Sequence, residues 1–123
     1  MDIAHFVAAC GSLFIAAVHV FAGGPAVAAP IAAAEELDPV VRDTDYYCWH
    51  LVTISLLVMA AAFLWSAFHP GAWELAVAGT AMAATYSLWG IGLAVARRQR
   101  FRDLPQGLMF LPVALAGLAG HLA

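Results

Sequence analysis

Residues 3–22 read IAHFVAACGSLFIAAVHVFA, twenty positions without Asp, Glu, Lys or Arg. At 1.5 Å per residue, a helix of this length spans about 30 Å, the thickness of a bilayer's hydrocarbon core. Lipid supplies no hydrogen-bond partner, so the backbone of such a run must satisfy itself, and a helix does so. The run therefore predicts a membrane-crossing helix. Met1–Phe6 carries no positive charge and Asp2 is acidic, unlike the start of a secretory signal peptide. The helix is expected to be retained.

Three further apolar runs follow. Leu51–Phe68 (LVTISLLVMAAAFLWSAF) is also uncharged. Its helix starts earlier, at an N-cap Asp38 followed by Pro39 in the first helical position. Arg42, Asp43 and Asp45 hold its first turns outside the hydrocarbon, and Tyr46, Tyr47 and Trp49 form an aromatic belt at the interface. The third run enters at Trp73 and Glu74 and leaves at Arg97, Arg98, Arg100 and Arg102. The fourth contains Pro112 and is short.

The reading is a single all-α domain, residues 1–123, folded as a polytopic four-helix transmembrane bundle. Helices are expected at about 3–22, 39–68, 72–96 and 105–122. Gly23, Gly24 and Pro25 are expected to end the first, leaving the alanine-rich stretch 23–38 as an interfacial segment or loop.

Composition agrees. Of 123 residues, 64% are hydrophobic and 11% charged, whereas a soluble domain carries roughly 25% charge. There is no lysine, and four of the five arginines lie in the run 97–102. That run is too short, and too closely flanked by apolar segments, to be a nucleic-acid footprint; it suits anionic lipid head groups. The positive-inside rule puts loops 23–45 and 97–104 in the cytoplasm and both termini outside. Cys10 and Cys48 form no CxxC pair and are expected to be inert, buried thiols. Small pairs four apart, Gly79 with Ala83 and Ala116 with Gly120, suit close helix packing.

Polar residues inside lipid cost free energy, so each histidine needs an account. His5, Ser12 and His19 are spaced by seven and form one stripe on the first helix, expected to face the bundle interior. His19, near the end of that helix, and His50, near the start of the next, fall at similar depth. Two imidazoles so placed suit a bis-histidine haem or a transition metal. At the opposite end, His5, His69, Glu74 and His121 contribute one candidate ligand from each helix, a set zinc or copper would accept. The plain alternative for all six is hydrogen bonding within the bundle or contact with interfacial water.

No HExxH, GxSxG, phosphate-binding glycine loop or mid-membrane carboxylate pair is present, so hydrolase and nucleotide-binding readings find no support. The size resembles that of small multidrug transporters, but those carry a glutamate in the middle of the first helix, and here that helix has no carboxylate beyond Asp2. The leading expectation is a small bacterial-type inner-membrane protein without catalysis of its own. Its partners would be the bilayer and either further copies of itself or a larger membrane complex. A histidine-ligated haem or metal protein and a small oligomeric transporter or channel are the alternatives.

Overall fold

Each apolar run becomes one helix. The computed structural model describes residues 1–122, so Ala123, the last residue of the expected domain, lies outside them. Helix α1 spans Ile3–Ala32, α2 Pro39–Phe68, α3 Trp73–Ala96 and α4 Gln106–Leu122. The described chain is 85% helical and has no strand. With the short 3₁₀ turn Pro70–Ala72 joined to α3, the first three helices are long and apolar enough to cross a membrane. Helix α4 is apolar but only 17 residues long, about 25 Å.

The ends of the helices follow local chemistry. Asp2 caps α1, its carboxylate accepting from the His5 backbone N–H at 3.0 Å. Asp38 caps α2 in the same way, accepting from Val40 N–H at 2.8 Å, with Pro39 in the first turn. Helix α3 ends in a Schellman motif: Gln99 N–H donates to Ala94 O and Arg98 N–H to Val95 O. Arg98 occupies the left-handed position, φ 53°, where glycine is usual.

The first helix departs from expectation. It does not stop at Gly23–Gly24–Pro25 but continues as a π-helix over Val18–Ala28 and then as α-helix over Ala29–Ala32. Pro25 has no N–H to donate and would clash with a carbonyl one α-turn back. The wider winding relieves this, shifting the bonds by one residue, as in Ala29 N–H to Gly24 O. Such local π adjustments are how membrane helices tolerate Gly and Pro. Residues 23–32 are thus helix rather than loop, and only 33–38 connects α1 to α2.

Helix α1 packs on α2 and α4, and α3 packs on α4 and more lightly on α2. The core forms where small residues let large ones in. Phe63, fully buried, lies between Gly79 and Gly117; a Cβ on either glycine would lie 3.0 Å from its ring. Helices α3 and α4 meet more tightly at Gly90 and Gly107, where a Cβ on Gly90 would lie 2.6 Å from the Gly107 nitrogen. Ser87 Oγ clamps this crossing by donating to Gly107 O at 2.8 Å. The expected pair partner Gly79 does admit a neighbour, but Gly90 and Gly107 sit on separate helices and escape any search within one helix.

Large apolar side chains such as Phe14, Phe21, Leu88 and Trp89 face outward, as lipid contact requires. Contrary to expectation, Cys10 and Cys48 are exposed free thiols. Cys10 is turned off the buried stripe of Ala8, Ala9, Ser12, Ile15 and Ala16.

Gly107→Ala should force α3 and α4 apart and cost about 1–3 kcal/mol, seen as a lower unfolding midpoint in detergent. Gly92→Ala, which meets open space, should leave the midpoint unchanged or raise it. Equal behaviour of the two variants would contradict the close crossing.

Candidate functional sites at the two ends of the bundle

The antiparallel helices bring the start of α1, the α2–α3 turn and the end of α4 to one end of the bundle. A cavity of about 520 Å³ opens there, with Asp2, His5, Ser66, Trp73 and His121 among its lining residues. Asp2 N–H donates to Ala67 O at 2.7 Å, tying the head of α1 to the tail of α2.

His5 is 5% exposed. Its Nδ1 lies 3.3 Å from Asp2 Oδ2, within ion-pair distance. Its Nε2 is buried without any hydrogen-bond partner, the one such side-chain atom among the described residues. The ring packs on Gly120, where any Cβ would collide with it, and stacks on Phe63 at 6.2 Å between centroids. His121 meets it edge-on, with centroids 5.1 Å apart. His121 Nε2 lies 3.4 Å from Thr80 Oγ1. The Thr80 hydroxyl donates its own proton to Ala76 O at 2.7 Å, so toward His121 it acts as acceptor.

Two members of the expected four-ligand set therefore come together here, and two do not. His69 is exposed, stacks on Trp65 at 4.0 Å and donates from Nδ1 to Trp65 O at 2.9 Å. Glu74 is exposed in the first turn of α3. Among the described residues no three His, Cys, Asp or Glu side chains converge as a metal-ligand group.

The other end holds a cleft of about 570 Å³ between the π-segment of α1, the start of α2 and the start of α4. Its walls reach the core side chains Ile15, Leu56 and Phe110. Here the expected His19–His50 pair gives way to His19 and Trp49. The two rings stack at 4.0 Å, and His19 Nε2–H donates to Trp49 O at 3.2 Å. The Trp49 indole also packs on Gly23, where a Cβ would lie 2.9 Å from it. His50 is exposed and meets Tyr46 edge-on at 4.5 Å. The reason is rotational: one residue along a helix turns the side chain by about 100°, so Trp49 and His50 cannot both face α1. His50 is not among the residues that line the cleft.

The remaining stripe residue, Ser12, is fully buried, with its hydroxyl donating to Ala8 O at 2.8 Å. Asp2, Thr80, Gly120 and Trp49 line or shape these sites without a motif in the sequence that marks them. Asp2 was readable, as an N-cap three residues before His5. Thr80 was a mid-helix polar residue without an assigned partner, and Trp49 reads as an interface aromatic. Comparison with protein-family models, curated proteins and solved structures gives no significant match.

Proposed function

We propose that this chain is a non-catalytic accessory subunit of the bacterial inner membrane that holds a neutral, lipid-like ligand in the cleft beside Trp49. The cleft itself carries the reading. Its volume of about 570 Å³ falls within the roughly 300–1,000 Å³ of small-molecule sites, which occur between the helices of bundles. The lining is apolar except for His19, Asp45, Cys48 and Gln106. That suits a long apolar body with one small polar head. The His19 Nε2–H is engaged by the Trp49 carbonyl, so the neutral ring retains Nδ1 as an acceptor for a hydroxyl on that head.

The non-catalytic part rests on how the buried hydroxyls are used. Ser12, Ser66 and Ser87 each donate to a backbone carbonyl, whereas a serine nucleophile needs an adjacent base to take its proton. No observation favours the transporter reading. The inner membrane, with both termini outside the cytoplasm, is proposed from the arginine distribution.

Protein purified in mild detergent should retain about one lipid-like molecule per chain, identified by extraction and mass spectrometry. Ala22→Phe and Ala26→Phe, which fill the cleft, should lower retention at least tenfold at unchanged helicity. Equal retention in wild type and both variants would overturn the ligand reading.

A periplasmic phosphatase reporter fused at the C-terminus should be active, and one inserted in loop 97–104 inactive. The reverse pattern would overturn the orientation.

A further inference from the structure

The end of the bundle opposite the cleft holds a second group of polar side chains, Asp2, His5, Thr80 and His121. In the neutral His5 ring, the carboxylate of Asp2 beside Nδ1 favours the proton there and leaves a lone pair on Nε2. That atom is the buried one without a partner. His121 mirrors the arrangement: Thr80 Oγ1 accepts from Nε2–H, so the lone pair falls on Nδ1. Two neighbouring imidazoles thus each have one nitrogen engaged by a protein oxygen and the other free. Metal-ligating histidines are held in this way, with the outer N–H on a carboxylate or another oxygen and the inner nitrogen open to the ion.

A buried polar atom without a partner destabilises a fold, so one that is kept calls for an explanation. Gly120 makes the cost more pointed, because its missing side chain is what admits the His5 ring.

We propose that His5 and His121 form a two-nitrogen site for a monovalent copper ion, with Asp2 and Thr80 as the outer partners that orient the rings. The donor count selects the metal. Zinc sites use three or four protein ligands, and no third His, Cys, Asp or Glu side chain joins this pair among the described residues. Cu(I) is satisfied by two neutral donors, and imidazole nitrogen is a copper ligand. Phe63 supplies an apolar wall, and both histidines also line the cavity of about 520 Å³ at this end of the bundle.

The test titrates full-length protein in detergent with Cu(I), held reduced by ascorbate without oxygen, and separately with Zn(II). Bound metal is counted after a chelator wash. Wild type should keep one copper per chain and no zinc. His121→Ala should lose the copper; because His121 is half-exposed at a helix end, this variant should keep its fold, checked by circular dichroism. His5→Ala should also lose it, and Asp2→Asn should weaken binding about 10–100-fold. His69→Ala and the double variant Cys10→Ser/Cys48→Ser should bind as wild type does. X-ray absorption of the copper form should show two nitrogen neighbours and no sulfur. Three results would overturn the site: copper retention no greater than in the His5→Ala/His121→Ala double variant, loss of copper on removing the cysteines, or sulfur in the copper shell.

Discussion

Lipid offers a protein no hydrogen-bond partners, and the arrangement of polar groups in this chain follows from that constraint. The hydroxyls of Ser12, Thr80 and Thr85 turn back onto carbonyls of their own helices. Ser66 and Ser87 reach carbonyls across a turn or a helix crossing. The His19 and His69 rings each donate to a tryptophan carbonyl and lie flat on that indole. Against so complete a pattern, the partnerless Nε2 of His5 is the exception, and the proposed two-histidine site is built around it.

The second constraint is packing without a hydrophobic drive, since lipid tails are as apolar as leucine. Close fit must then hold the helices, and here glycine makes the fit. Gly79 and Gly117 receive Phe63, and Gly90 meets Gly107 backbone to backbone. The same device builds both ends of the bundle. Gly120 admits the His5 ring, and Gly23 admits the Trp49 indole. Packing and site therefore share residues, and a side chain added at Gly120 would disturb both.

Much of this was legible in the sequence. Four apolar runs gave four helices, and Asp38–Pro39 marked the start of α2. The gathering of His5 and His121 at one end followed from antiparallel connectivity alone. Facing was harder to read. Depth in the membrane comes from counting residues, but facing depends on rotation, and one residue turns a helix by about 100°. Hence equal depth points to His50 as the neighbour of His19, whereas rotation places Trp49 there. The π-segment was hidden for a related reason: Gly23, Gly24 and Pro25 are stop signals in water, while in lipid the backbone rewinds rather than leaving its groups unpaired. The Gly90–Gly107 contact joins two helices and leaves no trace within either.

The protonation of the His5 ring tests the copper site most directly. Solid-state NMR of ¹⁵N-histidine-labelled, metal-free protein in bilayers, with His5 assigned by its loss in His5→Gln, reads each imidazole nitrogen separately. A pyrrole-type, protonated Nδ1 and a pyridine-type, bare Nε2 are expected on His5. A protonated Nε2 on His5 would contradict the copper site, because that nitrogen would then have no lone pair to offer the ion.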